Sequence, residues 1–265
     1  MACSHETAFI TMPVSKPSEV VTPYRHPKFI QDTTWIENAH LGMEMYLVDG
    51  NKPWSYTFVT DTNDAVRKGW QSQKFEVRYG DCWESDCNRT PVWERREFGE
   101  SFGTVEGDDY WYGWSFYVPK NNGNSLYWTY ISQFQQTPNH NPIWMFLKRE
   151  GKGLCLLLEP QKHLNYDCYK DTSFELIPEH LFMGQWHDIV VHAVWKKDET
   201  GVFQVWVNGD LKVDYHGYTM TQQNTGISYK YGVYRQRESA ATTVYFDEIR
   251  KGTSREQVDI LLLEK

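Results

Sequence analysis

The chain has 265 residues, of which 40% are hydrophobic and 16% aromatic, and 35 acidic against 27 basic side chains give a formal net charge of -8. That length can bury a full core in one all-β domain. The negative balance excludes a general nucleic-acid binder and makes any acidic ligand dependent on a local cluster of Arg and Lys. No run of about 18 apolar residues is present, which excludes a membrane-spanning helix.

In chain order, Pro13, Pro17, Pro23 and Pro27 remove backbone donors, so the first sixty residues are expected to wrap the outside of the domain rather than supply central strands. The opening Met1-Ala2-Cys3-Ser4 has the look of a trimmed export or lipoprotein junction. Residues 61–69 have a helical tint, and 75–79 alternate as a strand. Cys82 and Cys87 then bracket a short polar loop. Two thiols left free there would be unusual in an exported protein, so a Cys82–Cys87 disulfide and a secreted or periplasmic location are expected. Residues 110–118 form an aromatic strand stopped by Pro119, and strands follow at 126–135, 143–148 and 154–158. Cys155 and Cys168 flank a hairpin and form the second expected bridge, leaving Cys3 over.

Residues 184–195 alternate over a longer stretch, and 203–207 and 211–215 enclose Asn208-Gly209-Asp210. Asn-Gly supplies the positive φ angles of a tight hairpin. Further strands are read at 229–236 and 243–249, with helical character returning at 254–263. Many short antiparallel strands and long loops point to an all-β jelly-roll sandwich of two antiparallel sheets, concanavalin- or lectin-like, as a single domain over 1–265.

The strand at 229–236 carries the most chemistry. Period-two geometry sends Lys230, Gly232, Tyr234 and Gln236 to one side and Tyr229, Tyr231, Val233 and Arg235 to the other. The first set resembles the floor of a sugar-holding groove, and twelve Trp with seventeen Tyr supply further rings of the kind carbohydrate surfaces use. A retaining glycosidase needs two carboxylates about 5–5.5 Å apart, and its Glu-x-Asp-x-x-Glu strand is missing; Asp247 and Glu248 are adjacent and face opposite ways. Nucleophile-elbow, P-loop and dinucleotide fingerprints are missing as well.

Three segments in order carry a family resemblance: Arg95-Arg96-Glu97, Gln133-Phe134-Gln135 and Lys230-Tyr231-Gly232-Val233-Tyr234-Arg235-Gln236. Over residues 75–251 the chain resembles the jelly-roll polysaccharide lyases, the group that includes heparin lyase I, glucuronan lyase and, more distantly, alginate lyases. The resemblance implies β-elimination on an acidic, uronic-acid polysaccharide, with no cofactor required for the reaction and the protein acting as a monomer. It makes Tyr234 the base that removes the C5 proton and returns it to the leaving oxygen, with Gln133 and Arg95 holding the carboxylate. Lys230 is expected to provide cationic company for the phenol, Glu97 to orient Arg95, and Gln135, Gln236 and Arg235 to bind substrate.

Gln135 stands where such lyases carry a His, and a Gln cannot take a proton. His140, just past the same strand, is the candidate replacement, whereas His187 and His192 read as structural. The missing His favours same-side elimination at glucuronate, with mannuronate (an alginate lyase) and a non-catalytic carbohydrate-binding sandwich as the alternatives. A structural Ca²⁺ away from the groove is compatible with the family, and Asp108, Asp109 and Asp247 are its candidate oxygen donors.

Overall fold

Residues 202–207 show how the pattern becomes a sheet: Phe203, Val205 and Val207 are buried while Val202, Gln204 and Trp206 are half-exposed. A computed structural model describes residues 40–263, apart from 42, 44, 49–51, 61–65, 102, 123–125, 139–140, 159–172 and 224. Its strands are β1 (His40–Leu41), β2 (Met45–Val48), β3 (Tyr56–Val59), β4 (Ser72–Val77), β5 (Trp93–Glu100), β6 (Thr104–Val105), β7 (Asp109–Tyr117) and β8 (Trp128–Thr137). They continue as β9 (Pro142–Arg149), β10 (Leu154–Leu158), β11 (Ser173–Ile177), β12 (Trp186–Val194), β13 (Val202–Val207), β14 (Asp210–His216), β15 (Gly226–Gln236) and β16 (Thr242–Gly252).

These strands form two sheets. The first runs β14-β13-β12-β7-β16-β4-β3 with β1 on β16, and the second runs β11-β10-β9-β8-β15-β5-β2 with β6 on β15. Every pairing is antiparallel except the short β1–β16 contact. The all-β sandwich read from the periodicity is therefore the observed fold. Residues 40–59 contribute edge strands to both sheets: β2 borders the second and β3 the first.

Between the sheets lies an aromatic core. Trp144 of the second sheet stacks on Phe203 of the first with ring centroids 3.8 Å apart and planes 2° from parallel. Removing such a buried ring costs about 3–5 kcal/mol. Tyr229, Tyr231 and Val233 of β15 also point into this core, as the parity argument requires. Asn208 (φ 51°) and Gly209 (φ 88°) make the expected hairpin turn between β13 and β14. The helical end appears as a short 3-10 turn, Arg255–Gln257, and a four-residue helix, Ile260–Leu263. Of the stretch 61–69, residues 61–65 lie outside the described residues and 67–69 are bend and turn rather than helix.

Candidate active site

On the face of the second sheet opposite the core, three neighbouring strands line up their polar side chains. Tyr234 on β15 lies between Arg95 on β5 and Tyr130 on β8, Lys230 lies beside Gln133, and Gln236 pairs with Trp93. Alternation along β5 brings Trp93, Arg95 and Glu97 to this same side. The rings of Trp93 and Tyr130 flank Tyr234 at centroid distances of 4.8 and 5.8 Å. Met145, Leu147 and Leu157 complete the apolar flank.

Two irregularities aim these groups. Between Tyr231 and Tyr234 the β15–β8 register shifts by one residue, a bulge that needs permissive backbone. Gly232 provides it: its φ is 136°, and a Cβ there would come within 2.3 Å of the Arg96 carbonyl oxygen. Between Tyr130 and Ser132 the β8–β9 register shifts as well. Strict alternation would put Tyr130 and Gln133 on opposite faces; the extra residue, Ile131, returns both to the same one.

A fourth element contributes groups that sequence reasoning missed. The 3-10 turn Glu84–Asn88 sits beside the predicted disulfide, which is formed between Cys82 and Cys87 with 5.1 Å between their Cα atoms. The turn delivers Asp86, 1% exposed, against Arg95: Oδ2 lies 2.5 Å from its guanidinium. Asp86 Oδ1 accepts the Tyr234 hydroxyl at 3.2 Å, and Nη1 of Arg89 donates to the Tyr234 oxygen at 2.9 Å. Arg95 also lies over the Tyr234 ring, 4.0 Å from its centroid, and reaches Glu97 at 3.5 Å. Glu97 in turn accepts the Gln133 amide at 2.7 Å. An unbroken polar chain thus runs Tyr234, Asp86, Arg95, Glu97, Gln133. The Cys-bracketed loop was the only local signal for it.

Burial dominates the electrostatics. It pushes the Tyr234 phenol up to about 12, against the opposing pull of Arg95 and Arg89 and with the support of Asp86 and Glu97. The cations acting on the phenol are thus two arginines rather than the expected Lys230. Burial works against the charge on Arg95, but Glu97, Tyr234 and Asp86 outweigh it and hold its pKa up. Lys230, 6% exposed, is pulled below the usual lysine range by burial, with Glu97 opposing. Among the described residues its ammonium makes no hydrogen bond or ion pair.

The remaining candidates fall as follows. Gln135 and Gln236 are half-buried on β8 and β15, while His140 lies outside the described residues. Arg235 requires correction as a substrate-binding residue: it is fully buried on the core side, paired with Glu94 at 2.9 Å and donating to the Ala240 carbonyl and Thr242 hydroxyl. A guanidinium held there cannot reach a ligand on the opposite face. His187 is buried against the carbonyls of Leu181 and Phe182, and burial pulls its imidazole below the usual range. His192, of opposite parity, faces outward and bonds Gln204 and Asp109.

Cys155 is buried on β10, and its expected partner Cys168 lies outside the described residues. Asp108 accepts the Val105 N–H and Asp247 the N–H groups of Arg67, Lys68 and Glu248. Among the described residues no three His, Cys, Asp or Glu side chains gather as a metal site, and no helix is long and apolar enough to cross a membrane.

Comparison with known proteins agrees with this architecture. Residues 32–250 match the family described as polysaccharide lyase. Among solved structures, the endo-β-1,4-glucuronan lyase of the fungus Trichoderma reesei superposes with a TM-score of 0.64 at 19% identity, covering 83% of this chain and 95% of that one. A family 7 alginate lyase, A1-II′, in complex with product superposes with a TM-score of 0.54 at 12% identity, covering 77% and 85%. At these identities the likeness concerns the fold. No curated protein matches the chain by sequence.

Proposed function

Because this chain belongs to the polysaccharide lyase family, we propose that it cleaves a glucuronate-type anionic polysaccharide by β-elimination, with Tyr234 taking the C5 proton. One observation carries the reading: a nearly buried ammonium at Lys230, with no hydrogen bond or ion pair among the described residues, stands beside Gln133 on the face that also presents the Tyr234 phenol. Glu97 and Asp86 act on it only through space, and a buried cation without a direct hydrogen-bonding partner is costly. A uronate carboxylate would relieve it and would at the same moment be fixed next to the base.

In this account Lys230 and the second amide N–H of Gln133 hold the carboxylate as negative charge spreads onto it from C5. Arg95 is already engaged by Asp86 and Glu97, so it acts through Tyr234 rather than as a free carboxylate clamp. Glu97 orients both Arg95 and Gln133, while Gln135 and Gln236 extend contact along the polymer on either side. Tyr234 then returns the proton to the glycosidic oxygen leaving C4. One group serving both steps requires the C5 proton and the C4 oxygen on the same side, as in glucuronate or mannuronate. The likeness to a glucuronan lyase favours the former. We further assign the chain one domain, a monomeric state and an oxidising compartment outside the cytoplasm, anchored as a lipoprotein or released.

The test is a panel of glucuronan, polymannuronate, polyguluronate, ulvan, hyaluronan and heparin followed at 235 nm, where the unsaturated uronate absorbs, each run with and without chelator. Glucuronan should give the fastest rise, unchanged by chelation. Binding of these polymers with no rise at 235 nm would reject the lyase chemistry.

A further inference from the structure

The phenolic oxygen of Tyr234 has one hydrogen to give and two lone pairs. Arg89 can only donate, and the carboxylate of Asp86 can only accept. With Arg89 at 2.9 Å and Asp86 at 3.2 Å, the hydrogen is directed at Asp86 and one lone pair is taken by Arg89. The second lone pair is the one left for an incoming C–H. A base must present a lone pair to the proton it abstracts and send its own hydrogen elsewhere, and this arrangement does both.

Resting on the reading of Tyr234 as base, we infer that Asp86 receives the phenolic proton of Tyr234 as Tyr234 takes the C5 proton of the sugar. The C5–H bond breaks, its electron pair moves toward the uronate carboxyl, a new O–H forms on Tyr234, and the former phenolic hydrogen forms an O–H on Asp86. The electron pair then closes the C4–C5 double bond as the C4–O bond breaks. The leaving oxygen takes its proton from Tyr234, and Asp86 returns its own to the phenol. One proton moves from C5 to the leaving oxygen and nothing else is consumed. Asp86 touches no sugar in this sequence and is a positioning residue for Tyr234.

Two further facts support the relay. A phenol pushed up to about 12 is ionised in roughly one molecule in ten thousand at pH 8, so a base that had to lose its proton to bulk water first would be almost always silent. Asp86 is also surrounded by charged and titratable groups: Arg89 just past its own turn, Arg95 and Glu97 from β5, and Tyr234 and Lys230 from β15. Asp86 divides its oxygens, Oδ1 to the phenol and Oδ2 to Arg95. The turn that carries it is held by the Cys82–Cys87 bridge and by the Asp86 N–H donating to the Trp83 carbonyl at 2.8 Å.

The experiment compares the full chain with Asp86→Asn, Asp86→Glu and Tyr234→Phe on glucuronan, or on polymannuronate should that be the polymer the wild type cleaves. Full pH profiles of kcat and KM are recorded, and folding is checked by circular dichroism. Asp86→Asn should lose kcat by about 100-fold with KM within about threefold, and its remaining turnover should climb about tenfold per pH unit in the alkaline range, because hydroxide must now remove the phenolic proton. Asp86→Glu, which keeps a carboxylate, should restore a wild-type-shaped profile at reduced rate.

An equal loss at every pH in Asp86→Asn would mark Asp86 as structural and overturn the relay. So would kcat within about threefold of wild type while Tyr234→Phe is dead, which leaves Tyr234 as base without Asp86. Substantial turnover in Tyr234→Phe would remove the base itself, a separate failure. Should Asp86→Asn not fold, a steep alkaline climb in folded Asp86→Glu overturns the relay on its own.

Discussion

Nη1 of Arg89 donates to the phenolic oxygen of Tyr234 at 2.9 Å across a separation of 145 residues. The phenol therefore has a cation at its oxygen and, through Arg95, a second cation over its ring. The Arg89 contact needs the hydroxyl, but the ring itself is held by Trp93 and Tyr130 and lies under Arg95 without it. Tyr234→Phe is accordingly expected to fold normally and to bind polymer, while kcat falls by about 10²–10⁴. His187→Ala offers the contrast, lowering Tm while leaving kcat near wild type. Steady-state rates at 235 nm and thermal melts of the two variants check this together.

Arg89 lowers the Tyr234 pKa and Asp86 raises it. Arg89→Ala should push the phenol up further and slow turnover about tenfold, whereas Asp86→Asn should bring the phenol down. Tyrosine ring ¹³C chemical shifts followed against pH, with Tyr234→Phe to assign the resonance, report both directions. Opposite signs to these would show that a different charge controls the phenol.

Gln133 donates to Glu97, which is only 1% exposed. Gln133→Ala takes that donor away and leaves Glu97 less well satisfied, a loss of about 1–3 kcal/mol of stability. If Gln133 holds the substrate carboxylate as proposed, the same change also removes that contact, and kcat/KM should drop more than the melting temperature alone would explain. Denaturant titration beside kinetics separates the two effects.

The Cys82–Cys87 bridge encloses Asp86 and precedes Arg89 by two residues. Closing so short a loop contributes about 2 kcal/mol of stability in the chain-entropy account. Its larger effect is expected on rate: the double Cys→Ser form should lose about tenfold in kcat with little change in KM, because the turn that holds both partners of Tyr234 is loosened. Unchanged kcat in that form would mean that packing alone positions the turn.

Burial pushes the Asp247 carboxyl up to about 7, although the N–H groups of Lys68, Arg67 and Glu248 pull the other way. The folded protein then holds this proton more tightly than the unfolded chain does. Stability from this group is complete below the ordinary carboxylate range and is lost as pH rises through about 7. Melting temperatures between about pH 4 and 8 should fall more steeply in wild type than in Asp247→Asn, by a few degrees. Parallel curves for the two proteins would contradict the raised value.

Local physics made much of this molecule readable in one dimension. Alternation set Tyr229, Tyr231 and Val233 into the core and left Lys230 and Tyr234 on the other face, since side-chain direction in a strand follows from the pleat alone. Asn208-Gly209 announced its hairpin, and Cys82 with Cys87 announced their bridge, because each depends only on a few adjacent residues. What the tertiary structure decided was who meets whom. Asp86 and Arg89 reach Tyr234 from a turn about 145 residues earlier, and Glu94 claims Arg235 across 141. The register shift at Ile131 brings Tyr130 onto the same face as Gln133, against strict parity. Such pairings are settled by sheet order and by the burial that makes an unpartnered charge costly, and neither is a property of any single stretch of sequence.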